Sequence, residues 1–140
     1  MADFTLQISE KITLGGISRD SIVTQTISSA SYVDNRIMTI PTGSLTTIFS
    51  FSNNTGAGTF TTSSFQYGRI TNKSTSTPVK IVVSSSTEAM SYLIATGSSF
   101  MLSTTKMTGS VSGLNFNNIA SIQLQPSSST ADIEYFIIGS

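Results

Sequence analysis

The chain has 140 residues and a formal net charge of zero, with 38% apolar and only 10% charged residues. That length suffices for one domain to bury its own core, and the seven basic residues (Lys11, Arg19, Arg36, Arg69, Lys73, Lys80 and Lys106) are scattered, with no cluster to argue for nucleic acid or an anionic membrane surface. The lack of Cys and His excludes disulfides, thiolate metal sites, a Cys nucleophile and the commonest general base.

In chain order, Phe4, Leu6, Ile8, Ile12 and Leu14 all fall on even positions, so residues 3–14 read as a strand with one apolar face, broken by Gly15-Gly16. Residues 21–28 read as a second strand and residues 31–40 as a third, ending before Pro41. Leu45, Phe49 and Phe51 share a face in the next segment. Asn53 to Gly58 carry the chemistry of a loop, and Phe60 opens a short strand. Phe65 and Tyr67 share a face of the strand that ends near Asn72. Residues 73–77 read as a polar hairpin loop, after which Pro78 starts a strand with Val79, Ile81 and Val83 on one side.

Residues 87–97 fit two patterns. Met90, Tyr92 and Ile94 alternate as in a strand, which is favoured; Thr87 and Gly97 could also cap a short helix. Phe100 and Leu102 mark another strand, and Gly109 and Gly113 flank a turn-rich stretch. A last hairpin joins residues 119–125 to 131–138 through residues 126–130, with Ile133, Tyr135 and Ile137 on one face. About ten short strands with regular turn signals predict an all-β fold, an antiparallel β-sandwich or jelly roll, as a single domain over residues 1–140. The two Ser/Thr loops at 73–77 and 126–130 look alike, without any repeat of fixed period.

Chemistry is sparse. Asp132 and Glu134 lie two apart on one strand, so they share a face at about 6.8 Å. That overlaps the spacing of an inverting glycosidase pair, but the side opposite Ile133, Tyr135 and Ile137 reads first as solvated. The other acids, Asp3, Glu10, Asp20, Asp34 and Glu88, are isolated in sequence. Without His there is no Ser-His-Asp triad. Asn54 to Gly58 is Gly-containing but lacks the following Gly-Lys-Ser/Thr of a phosphate loop. The sequons at Asn53 and Asn72 read as chance matches in a Ser/Thr-rich chain. Tyr67, Tyr92 and Tyr135 are in phase with apolar neighbours and read as core residues with a hydrogen-bonded tip; Tyr32 is the candidate exposed aromatic. The expectation is no catalytic, cofactor or metal site.

The surface composition points elsewhere. Charge is replaced by 27 Ser and 21 Thr, against a usual charged fraction of about 25%. Such a surface lacks a common protection against association, which suits a protein held in an assembly. Residues 67–81 and 119–138, each a hydroxyl-rich loop between alternating strands, resemble the small β-sandwich virion proteins of tailed bacteriophages. The resemblance implies a structural protein, first a capsid decoration protein and second a neck or tail ring component. It implies contacts with other copies and with a major capsid or neck/tail protein, and no role for nucleic acid or membrane. No secretory signal or membrane-spanning run is visible, which predicts synthesis in a host cytoplasm and residence in the virion. The competing expectations are a glycan-binding lectin-like or adhesin module, which exposed aromatics would favour, and an enzyme using Asp132 and Glu134.

Overall fold

The computed structural model describes residues 2–52, 59–61, 64–103, 110–111, 114–115 and 118–140. Among them the regular structure is entirely strand, as Ser, Thr, Val, Ile and Phe dictate. Four strands come first: β1 (Ala2–Glu10), β2 (Thr13–Leu14), β3 (Ile17–Ser18) and β4 (Ser21–Ala30). Then follow β5 (Tyr32–Ile40), β6 (Thr46–Ser52), β7 (Thr59–Thr61), β8 (Phe65–Asn72), β9 (Val79–Ser85), β10 (Ala89–Ile94) and β11 (Ser99–Leu102). The chain ends through β12 (Ser110–Val111), β13 (Leu114–Asn115), β14 (Ile119–Pro126) and β15 (Ala131–Gly139). The ambiguous 87–97 stretch is therefore a strand at its centre. The loop around Asn54 and the turn-rich stretch between Gly109 and Gly113 lie largely outside the described residues.

Two sheets form the body, in the orders β5-β15-β8-β11 and β7-β6-β14-β9-β10. With β7 set aside, eight strands remain. The first pairs with the eighth (β5·β15), the second with the seventh (β6·β14), the third with the sixth (β8·β11) and the fourth with the fifth (β9·β10), all antiparallel. This is a jelly roll: one long antiparallel ribbon, folded back at the β9–β10 turn and rolled so that alternate pairs fall in opposite sheets. β7 adds a parallel strand beside β6.

This topology corrects two expected hairpins. The loop at 73–77 does not join paired strands, because β8 and β9 lie in different sheets; nor does the loop at 126–130, because β14 and β15 do. Both are arches that cross the sandwich. They lie side by side, with Thr77 Oγ1 2.6 Å from Ser129 Oγ and Ser127 N donating to Pro78 O at 3.0 Å. Their likeness in sequence thus reflects two equivalent crossings. Hydroxyls suit that position because each arch must satisfy its own backbone away from a strand ladder.

The core between the sheets is aliphatic and aromatic, with Phe49, Ile81, Ile122, Leu124, Ile133 and Ile137 almost fully buried. Two bulges shift the expected faces. The β14–β6 register slips between Ile122 and Gln123, opposite Phe49 and Thr47, so Ile48 is buried and Leu45 falls out of phase with Phe49 and Phe51 and is exposed. The β15–β8 register slips between Ile138 and Gly139, opposite Tyr67 and Phe65. Phe65 therefore turns into the sandwich, edge-on to Phe51 at 5.2 Å, while Tyr67 turns to the outer face. Gly68 makes this possible: a Cβ there would lie 3.1 Å from the Phe65 ring.

Asn72 is the one fully buried amide among the described residues, and it is completely used. Its Nδ2 donates to Thr77 O at 2.9 Å and Ile94 O at 3.2 Å, and its Oδ1 accepts from Ser74 N at 3.0 Å. It fixes one arch to the β10–β11 turn. The Asn72 sequon is thus inaccessible in the folded chain, and the Asn53 sequon begins outside the described residues.

Candidate interaction surface

Residues 2–30 do not join either sheet of the body. β1 pairs only with β4 and β2 only with β3. From Phe4 to the tip the partners obey one register: Phe4 faces Ile27, Ile8 faces Val23, Thr13 faces Ser18 and Leu14 faces Ile17, with Arg19 N donating to Ile12 O at 2.8 Å. The result is a single two-stranded arm whose ladder is interrupted around residues 11–12 and 19–20 and bridged there by that bond. It is closed by Gly15 and Gly16 at φ +60° and +79°, the pair of left-handed residues that a two-residue turn of matching twist requires.

Cross-strand partners point to the same face, so the register sorts the side chains. One face carries Phe4, Leu6, Ile8, Ile12, Leu14, Ile17, Val23 and Ile27, with Gln25, Ser21, Glu10 and Arg19 between them. The other face carries Thr5, Gln7, Ser9, Lys11, Thr13, Ser18, Asp20, Thr24 and Thr26, with Ile22 the one apolar exception.

Only the base of the apolar face is covered. Phe4, Leu6 and Ile27, with Ala30 at the end of β4, pack on Tyr67, Phe136 and Ile138 of the outer face of the β5-β15-β8-β11 sheet. The Phe4 ring lies 5.4 Å from Tyr67 and 5.7 Å from Phe136. Beyond the base, Ile12, Leu14, Ile17 and Val23 are each more than half exposed. The even-numbered apolar face was legible in the sequence; that it projects beyond the body was not. A usable signal existed in the mirror-image apolar alternation about Gly15-Gly16.

The arm leaves the body at a strained point. Ser29 holds φ +66°, where the register shifts between the Phe4–Ile27 and Ala2–Ala30 pairs, and Ser31 N donates to Gly139 O at 3.0 Å just after it. Next to the base, β5 forms a free edge of its sheet, and its Val33 and Ile37 are exposed on the same outer face as Phe136 and Ile138.

The polar residues of this sheet stabilise it. Asp132 accepts from Thr39 Oγ1 at 2.6 Å, and Glu134 pairs with Arg69, which also bonds Thr71. The two acids share the outer face, as expected, but each is committed to a neighbouring strand and neither lines a cavity found among the described residues. Asp34 sits between the Arg36 guanidinium and the Tyr135 hydroxyl at 3.0 and 3.1 Å. Burial first, then that bond to the Asp34 carboxylate, pushes the Tyr135 phenol up to about 12.

Of the tyrosines read as core, Tyr67 and Tyr135 are buried at 3% and 6% exposure. Tyr67, however, lies under the arm and not between the sheets. Tyr92 is a correction: it is 52% exposed. Its phase is inward, opposite Ile81, but β10 is an edge strand, and the Phe100 ring lies beside it at 5.8 Å. Tyr32 is exposed, as expected. Tyr92 borders a shallow depression of about 490 Å3 with Lys80, Ser91, Leu93, Gln125, Pro126 and Ser127. A second space of about 10 Å3, among Phe49, Phe65, Phe100 and Ile122, is an internal packing gap too small for a ligand.

Compared with family models, with curated proteins and with solved structures, the chain finds no match.

Proposed function

We propose that the chain is a structural protein of a large assembly, acting through protein–protein contacts, and that the assembly is a bacteriophage virion. The observation that carries this reading is the arm. A two-stranded ribbon is marginal in water unless something covers a face, and contiguous exposed apolar patches on soluble monomers are usually small. Here the distal half of an arm keeps its apolar face open while its base is packed. The scarcity of charge agrees with a surface that works in contact with other proteins. Jelly rolls serve both viral coats and lectins, so the fold supports the class of protein without choosing the role.

Within the virion, capsid decoration stands first and a neck or tail ring second. The partners in this reading are other copies and a major capsid or neck/tail protein; catalysis, nucleic acid and membrane play no part. The test is to isolate particles from the native source and quantify the chain by mass spectrometry. Many copies per particle, in a fixed ratio to the main shell protein, fit decoration, and a few copies fit a ring. Recovery of the chain only outside particles rejects the proposal.

A glycan-binding reading has one observation in its favour, the exposed Tyr92 beside the shallow depression. A single ring is a poor stacking platform, and Tyr32 lies on β5 in the other sheet. Saccharide binding that Tyr92→Ala abolishes would establish it.

A further inference from the structure

We infer that the arm docks onto a second copy of this chain, with its distal apolar face lying along Val33 and Ile37 on the outer face of that copy's β5-β15-β8-β11 sheet. The inference rests on the proposed assembly role and deepens it by naming the contact.

Three observations single out a second copy. First, the complementarity is already visible within one chain. The base of the arm lays this same ribbon face onto this same sheet face, Phe4 and Ile27 against Tyr67, Phe136 and Ile138. The distal part continues that face with Ile12, Leu14 and Ile17, and the exposed Val33 and Ile37 continue the sheet side. The apolar docking surface thus extends an existing contact on both sides.

Second, the arm cannot cover that strip itself. Its register is unbroken from Phe4–Ile27 to Leu14–Ile17, so it has no bulge at which to fold back. The arm is long enough to cover the strip of another copy: Ile8 to Leu14 spans about 20 Å and Val33 to Ile37 about 14 Å at the strand rise.

Third, charge does not oppose the contact. Glu10 and Arg19, one of each sign, are the only charged residues on the arm's apolar face, and the chain is neutral overall. A standard interface buries roughly 800 Å2 per partner. Reciprocal exchange, in which each copy gives an arm and receives one, doubles the contact and makes it isologous.

The chain has no cysteine, so introduced thiols report without background. Leu14→Cys and Ile37→Cys proteins, mixed under mild oxidation, should form a cross-linked heterodimer, whereas Thr13→Cys on the opposite face with Ile37→Cys should not. Light scattering should show wild-type self-association weakened about tenfold or more by Leu14→Asp or Ile37→Asp, and unchanged by Thr13→Asp. All these sites are exposed, so the body should fold in each variant, which circular dichroism checks. Absence of the Leu14–Ile37 cross-link at concentrations where the chain associates overturns the inference. So does a chain that stays monomeric at every concentration, or an arm that binds neutral or anionic phospholipid vesicles in place of a second copy. Incorporation into native particles separates the two readings: a Leu14→Asp chain that is still incorporated at the wild-type level overturns the arm contact and leaves the assembly role standing, whereas a wild-type chain found in no particle overturns the assembly role.

Discussion

At the scale of single residues, the body depends on a few polar groups that are buried and fully used. Asn72 holds two carbonyls and one amide across an arch and a turn. Its replacement by Ala leaves those partners buried without it, and an unmade buried bond costs far more than a typical one contributes. Asn72→Ala should therefore destabilise the fold by about 3 kcal/mol, read as a lower urea midpoint at unchanged slope. Tyr135 gives a pH prediction. Its phenol rises to about 12 in the folded chain, from about 10 when unfolded. The folded state therefore binds the proton more tightly. That contribution is complete below about pH 10 and is lost as pH rises through about 12. Tyr135→Phe should flatten this part of the alkaline unfolding curve. Tyr135 was readable in sequence as a core residue with a hydrogen-bonded tip, though its partner Asp34 was not; Asn72 read as a strand end, and its burial arises only when the β8–β9 arch meets the β10–β11 turn.

At the scale of elements, alternation located nearly every long strand, and local chemistry located the turns. Gly15-Gly16, Pro41 and the two Ser/Thr loops all mark real boundaries. Pairing was the harder inference, because a polar loop between two alternating segments describes a hairpin and a sheet-crossing arch equally well. Bulges were invisible for a similar reason: one extra residue reverses the face of everything beyond it, which is how Leu45 and Tyr67 left their expected places. Edge position is the third blind spot, since Tyr92 has the phase of a core residue and half the cover. The bulge at the arm's base offers a test. Ser29 sits in the left-handed region at φ +66°, which costs a residue with a Cβ and not glycine. Ser29→Gly should raise stability by about 0.5–1 kcal/mol if relief of that strain outweighs the added freedom of the unfolded chain. Thermal melting reads the difference. A fall in stability would mean that the Ser29 side chain contributes at the hinge.

At the scale of the whole molecule, the jelly roll closes its own core and leaves its arm unfinished. The sandwich buries Phe49, Phe51, Phe65 and Tyr135 and satisfies its polar groups internally, with no buried side-chain nitrogen or oxygen lacking a partner among the described residues. The arm and the neighbouring Val33 and Ile37 of β5 present apolar surface that the chain leaves uncovered. Composition indicated a surface made for contact, but only the three-dimensional register placed that contact on a projecting ribbon. If contact between copies is what this chain does, it should be driven by apolar burial, and ion pairs should matter little. Sedimentation velocity of the purified chain, from micromolar to millimolar and from about 0.1 M to about 1 M salt, tests this most directly. The account predicts association that grows with concentration and survives the higher salt. A single species of monomer mass throughout, or complexes that salt dissolves, would contradict it.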